Sequence, residues 1–295
     1  MLFAAIDIGS NAARLLFANV FKPANKIIVE KATLVRIPTR LGEDVYSSGK
    51  ISVQKQESLV KTLKAFRLLI DVYKPVGFDI CATAAIREAA NGKEVLEWIK
   101  KDTGFSVRAI DGIEEANIIR QTNTIGFDHP SNLTLYADVG GGSTDISMMN
   151  GDEVIGVKSF NIGTLRILNK KVDDKEWEKL ERWLAKFEAD FGSINIVGSG
   201  GNINKINKLY GDPFHLVLTF EQLKHAHKYL KSFTLDERIN KLGLRPDRAD
   251  VIVPAAKIFL FVMKTIRSQS ILVPKIGLVD GLVFQLYKKH ISRNS

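Results

Sequence analysis

The 295-residue sequence predicts an α/β protein of two similar domains, on three observations. Apolar runs of strand length alternate with longer stretches of helical period along the whole chain. A short pattern, Ile6-Asp7-Ile8-Gly9-Ser10-Asn11, returns as Ala137-Asp138-Val139-Gly140-Gly141-Gly142, each time between two apolar runs. The length exceeds one compact core and suits two. Asp138 follows Asp7 by 131 residues, far longer than a solenoid repeat, so the duplication predicts two domains facing each other across a cleft.

Residues 2–8 and 13–20 read as strands joined by a tight turn at Gly9-Ser10-Asn11, and 26–36 as a third strand. Ser52 opens a long amphipathic helix with Leu59, Leu63, Phe66 and Ile70 on its apolar face, ending before Pro75. A strand at 77–83, a helix near 92–102, a strand at 105–110 and a helix at 112–125 follow. After a hinge at 126–132 the pattern restarts with strands at 133–139, 144–149 and 153–160 and helices near 163–170 and 173–191. A strand at 194–198 runs into Gly198-Ser199-Gly200-Gly201, and helices are expected at 200–210, 219–231, 234–241, 247–267 and 278–290. The domain boundaries drawn from this are 1–126 and 127–295, with the last helix free to pack back on the first domain.

Lysine and arginine exceed aspartate and glutamate by 42 to 33, a net charge of +9 that favours an anionic partner. The start of the chain lacks a basic segment before its apolar run, and Ala249–Met263 is too short and too interrupted to span a bilayer. One cysteine cannot form an internal disulfide. These features together suggest a cytoplasmic protein without a membrane anchor.

The two glycine-rich turns carry the chemistry. Glycines let backbone N–H groups converge into a concavity that binds anions, above all phosphate. Ser10, Asn11, Ser143 and Thr144 add donors, and Asp7, Asp138 and Asp145 add hard oxygen ligands that suit Mg²⁺. A single Asp-x-Gly turn is an ordinary hairpin signal. Two in matching places, one with three successive glycines, point to a site.

Asp111-Gly-Ile-Glu114-Glu115 opens a helix, with Asp111 as N-cap and Glu114 placed to complete a capping box. Glu115 has no such structural task and is the candidate to take a proton from an attacking water, against the plain alternative of a solvated first-turn acid. Arg87 follows an apolar strand, where its guanidinium could grip phosphate or simply lie at the surface. Cys81-x5-Arg87 has the spacing of cysteine-dependent phosphatases but supplies no glycine for their loop, so Cys81 reads as a buried strand residue.

Taken in order, Asp7-Ile-Gly-Ser-Asn, Arg40-Leu-Gly42, Ala82-Thr-Ala-Ala-Ile-Arg87, Asp111-Gly-Ile-Glu-Glu-Ala116, Asp138-Val-Gly-Gly-Gly-Ser-Thr-Asp145 and Gly198-Ser-Gly-Gly201 resemble the exopolyphosphatase/guanosine pentaphosphate phosphohydrolase (Ppx/GppA) family, in its short two-domain form. The resemblance implies two actin-like, ribonuclease H-like domains of mixed sheets flanked by helices. It further implies hydrolysis of the terminal phosphoanhydride of polyphosphate or guanosine pentaphosphate with Mg²⁺, or with Mn²⁺ in its place, by a homodimer.

By motif position Glu115 corresponds to the general base, Arg87 to a phosphate-binding arginine, and Asp138 and Asp145 to the metal-side acids. Phosphate contacts are expected from Asp7, Gly9, Ser10, Asn11 and Arg14, from Gly140, Gly141, Gly142, Ser143 and Thr144, and from Gly200 and Gly201. Two departures stand out. Ala12 replaces a usual serine, and Asp145 a usual glutamate, which draws that carboxylate back by one methylene. Other readings of the same fold are a nucleotide-dependent kinase or ATPase, and a weakly catalytic polyphosphate or alarmone sensor. Nucleic-acid binding rests on net charge alone and ranks last.

Overall fold

The computed structural model describes every residue except 24–26, 122–132, 152, 192–193, 213, 215 and 295. The chain forms two compact units, Met1–Gly126 together with Gly277–Ser295, and Phe127–Ile276. The hinge expected at 126–132 lies outside the described residues.

In the first unit β1 (Leu2–Ile8), β2 (Ala13–Phe21) and β3 (Ile28–Ile37) form an antiparallel meander. Helices α1 (Leu41–Ser48) and α2 (Val53–Tyr73) lead to β4 (Gly77–Ala82), which pairs in parallel with β1. Then come α3 (Ala84–Glu88), α4 (Gly92–Thr103), β5 (Arg108–Ala109) and α5 (Gly112–Arg120), giving the strand order β3-β2-β1-β4-β5. β1 is buried from Phe3 to Ile8, as its unbroken apolar run requires of a central strand. In α2 the Ser52 side chain accepts from the Lys55 N–H, and Leu59, Leu63, Phe66 and Ile70 are buried at helical spacing.

The second unit repeats the plan with β6 (Leu133–Val139), β7 (Thr144–Asn150), β8 (Glu153–Phe160), α6 (Thr164–Leu168), α7 (Asp174–Phe191), β9 (Asn195–Ser199) and α8 (Gly201–Tyr210). It continues through β10 (Val217–Thr219), α9 (Phe220–Lys231), α10 (Leu235–Asn240), α11 (Pro246–Ala249), α12 (Ile252–Thr265) and β11 (Ser270–Leu272). The strand order is β10-β11-β9-β6-β7-β8. Apart from the added β10, both sheets place their own strands in the order 3-2-1-4-5, with the first three antiparallel and the rest parallel. This is the mixed, ribonuclease H-like arrangement the sequence predicts. The core of this unit gathers Leu135, Ala137, Ile146 and Met148 from the sheet with Ile203, Leu223, Ile258 and Phe259 from its helices.

The last helix, α13 (Leu278–Asn294), belongs to the first unit, so the second ends at Ile276 rather than at the chain terminus. Its Leu278, Val279, Leu282, Val283 and Tyr287 pack with Phe3, Ala5, Leu16 and Ala18. Lys31 pairs with the buried Asp280 at 2.9 Å, tying β3 to the start of the helix.

Other boundaries differ for local reasons. The strand expected at 105–110 shortens to Arg108–Ala109. The helix expected at 247–267 breaks at 250–251, because Pro254 has no N–H to give the Asp250 carbonyl and so starts a new helix within its first turn. The short α1, α3, β10 and β11 were not expected. Among the described residues no helix is long and apolar enough to cross a membrane.

Candidate active site

The first glycine turn closes through Gly9 N–H to the Ala12 carbonyl, 3.1 Å. Behind it the Gly42 N–H reaches the Ser10 carbonyl at 2.8 Å and the Arg40 N–H the Asn11 carbonyl at 3.1 Å. Arg40-Leu-Gly42 is therefore a clamp on the turn, which explains the motif. The Ser10 hydroxyl lies 2.9 Å from the Tyr46 hydroxyl of α1, a partner that sequence reasoning missed.

The second turn closes identically, Gly140 N–H to the Ser143 carbonyl at 2.9 Å. Its three glycine carbonyls are all engaged: Gly140 by Thr164 N–H at 3.1 Å, Gly141 by Leu165 N–H at 2.9 Å, and Gly142 by Arg166 Nε at 2.6 Å. Gly163 makes this approach feasible, since a Cβ there would stand 2.3 Å from the Gly141 oxygen. Neither Gly163 nor Arg166 was a sequence candidate; a glycine opening a helix was the available signal.

A trans peptide points its C=O and the following N–H in opposite directions. Carbonyls held from behind therefore turn the N–H groups of Gly141, Gly142 and Ser143, and in the first unit those of Asn11 and Ala12, to the other side. Each turn thus offers a row of backbone donors on one side, the kind of group an anion needs.

Next to each turn lies a matching row of side chains. In the first unit the register aligns Arg14, Asp7 and Cys81 across β2, β1 and β4. In the second it aligns Asp145, Asp138 and Ser199 across β7, β6 and β9. Opposed cross-strand residues share a face of the sheet, so each row is a cluster.

Asp7 is 2% exposed and binds Arg14 at 2.6 Å through Oδ2, while Oδ1 has no hydrogen-bond partner among the described residues. Burial raises its carboxyl above the ordinary range, opposed by the Arg14 charge. The Cys81 thiol is pushed well up, by burial first and then by the Asp7 and Glu115 carboxylates. That is the reverse of what a thiolate nucleophile needs.

Asp138 accepts from the Ser199 hydroxyl at 2.5 Å, and buried Asp145 from Ser143 at 2.9 Å. The N-cap of α8 is Gly200, at φ +111°. The hydroxyl of Thr144, fully buried, donates to the Ile162 carbonyl at 2.5 Å.

Glu115 sits in the first turn of α5 and is 9% exposed. Asp111 caps this helix by accepting from the Glu114 N–H at 2.8 Å, but the Glu114 carboxylate pairs with Arg108 at 2.6 Å, an ion pair where a capping box was expected. Arg87 donates to the Ile110 carbonyl at 2.7 Å and so fixes the corner immediately before Asp111.

A divalent cation fits the second row. Two carboxylates face one side of the sheet, each oriented by a serine hydroxyl, and the donors are all hard oxygens. Among the described residues no three His, Cys, Asp or Glu side chains gather into a metal site. An ion there would complete its shell with water and phosphate oxygens, which is how Mg²⁺ is commonly held.

The model of the Ppx/GppA phosphatase family matches residues 28–290. The Aquifex aeolicus member of that family is 28% identical over 98% of both chains and superposes with a TM-score of 0.76. Exopolyphosphatase 1 of Mycobacterium leprae is 23% identical, covering 97% of this chain and 89% of its own length. The bifunctional 3-dehydroquinate synthase/phosphatase of Fusobacterium nucleatum is 29% identical over 85% of this chain, which spans only 41% of that protein. With the family pattern matched over most of its length, and both glycine turns in place, this chain belongs to the Ppx/GppA phosphatase family.

Proposed function

We propose that the protein hydrolyses terminal phosphoanhydride bonds of inorganic polyphosphate, of guanosine pentaphosphate, or of both. One observation carries this reading: two glycine turns, each with its carbonyls tied from behind and its N–H groups turned to the opposite side. The mycobacterial relative's name supports polyphosphate, and the family resemblance supports either substrate.

In this reading the turns hold phosphate oxygens through the N–H groups of Asn11 and Ala12 and of Gly141, Gly142 and Ser143, the Gly9 and Gly140 N–H groups being spent on closing the turns, while Arg14 keeps the Asp7 charge compensated. Asp138 and Asp145 hold Mg²⁺ or Mn²⁺, which supplies neutralisation of the phosphoryl oxygens when bound. Glu115 accepts the proton of the attacking water. Arg87 fixes the β5–α5 corner through the Ile110 carbonyl, lies 3.4 Å from the Glu88 carboxylate through a second nitrogen, and offers its other donors to phosphate. A homodimer in the cytoplasm completes the proposal, on the family resemblance.

Phosphate release from polyphosphate, guanosine pentaphosphate and ATP, each with Mg²⁺ or EDTA, tests it. EDTA should abolish release, and Glu115→Gln should lower turnover by roughly 10²–10⁴. Wild-type turnover in that variant would remove Glu115 from the role. ADP appearing with a phosphorylated acceptor would identify a kinase instead.

A further inference from the structure

We infer that Arg166 is a positioning residue for the second glycine turn: its Nε–H holds the Gly142 carbonyl and thereby aims the Ser143 N–H at the bound anion. The inference rests on reading that turn as a phosphate cradle.

The ties behind the two turns are of unequal kinds. In the first, Ser10 and Asn11 are held by the backbone N–H groups of Gly42 and Arg40. In the second, Gly140 and Gly141 are held by the backbone of α6, but Gly142 is held by a side chain, at 2.6 Å. A backbone tie persists whatever the side chain; the Gly142 tie depends on residue 166.

The peptide it fixes is also the one most able to turn over. Gly142 carries no Cβ to restrict rotation of the 142–143 plane. If that plane rotates, the carbonyl oxygen enters the donor row where the Ser143 N–H stood, putting a partial negative charge against an anion. Ser143 additionally orients Asp145 through its hydroxyl, so the same peptide plane links the anion cradle to the metal-side carboxylate.

Arg166 carries a charge as well as a donor, and the two can be separated. In Arg166→Gln the amide Nε2 occupies the chain position of the arginine Nε, keeping the donor and losing the charge. Arg166→Lys keeps the charge but places its donor one atom further out. Arg166→Met approximates the length and has neither.

The measurements are the dissociation constant of inorganic phosphate by calorimetry, kcat and KM for polyphosphate, and thermal midpoint. Met should weaken phosphate binding by about tenfold and raise KM similarly at little-changed kcat, as expected for a contact made equally in ground and transition states. Gln should return both to within about twofold of wild type, and Lys should not. Rescue by Lys without Gln would show that the guanidinium acts through its charge and would overturn the inference; so would a Met variant that binds like wild type, or failure of Gln to rescue. A wild-type protein that neither binds phosphate nor releases it from polyphosphate would instead sink the functional reading beneath it.

Discussion

Asp7 and Asp138 occupy equivalent positions yet face different neighbours, and that difference separates their behaviour. Arg14 stands opposite Asp7 where Asp145 stands opposite Asp138. The first row therefore pairs its carboxylate with a guanidinium, and the second sets two carboxylates opposite each other, each accepting from a serine hydroxyl. Asp7 nevertheless carries a burial cost. Its folded-state carboxyl lies above the ordinary 3.8, so the native state binds its proton more tightly than the unfolded state does. Its contribution to stability accordingly falls as pH rises from about 3.8 through the folded value, and the penalty persists above it. Asp7→Asn should remove that fall. Its thermal midpoint relative to wild type should climb across this window and then level off, and a difference flat with pH would contradict the burial argument. The placement of Asp7 and Asp138 near the ends of equivalent strands, and of the glycines in the turns that follow, was legible in the sequence because a short local motif encodes it. The roles of Ser199, Tyr46 and Arg166 were not legible, because each depends on contacts across sequence gaps that no local pattern encodes.

Among the elements, α6 has five residues and still sets the shape of the second turn, because Gly163 lets its backbone touch the turn directly. Gly163→Ala would press a methyl group to 2.3 Å from the Gly141 oxygen and 2.4 Å from the Gly142 carbonyl carbon. The turn must shift, at about 1–3 kcal/mol of stability by the usual cost of overpacking. Urea denaturation should register that loss, and phosphate affinity should drop with it. An unchanged midpoint with unchanged affinity would mean that the loop relaxes freely. The long elements could be read from sequence: the burial period of α2 and the alternation in β6 are strong signals over many residues. Four short ones escaped. α1, α3, β10 and β11 each span eight residues or fewer, and their pairing with distant partners decides their existence.

For the molecule as a whole, the duplication was visible from two matching six-residue stretches, and strand order repeats it in both sheets. Which unit owns the last helix was a matter of tertiary packing. Leu278, Val279, Leu282 and Val283 are buried on the first unit, and each such side chain contributes roughly 1.5–3 kcal/mol. Deleting 277–295 should therefore destabilise the first unit and leave the second near its original midpoint, splitting the thermal transition into two. A single transition with both units lowered together would contradict this assignment. The same connectivity bears on the order of manufacture. A ribosome releases residues 1–126 long before 277–295 exist, so Phe3, Ala5 and Leu16 wait without their covering helix while the whole second unit is made. The first unit to emerge is completed only after the second, and nascent chains of this protein should lean on cellular holdases until α13 has been made.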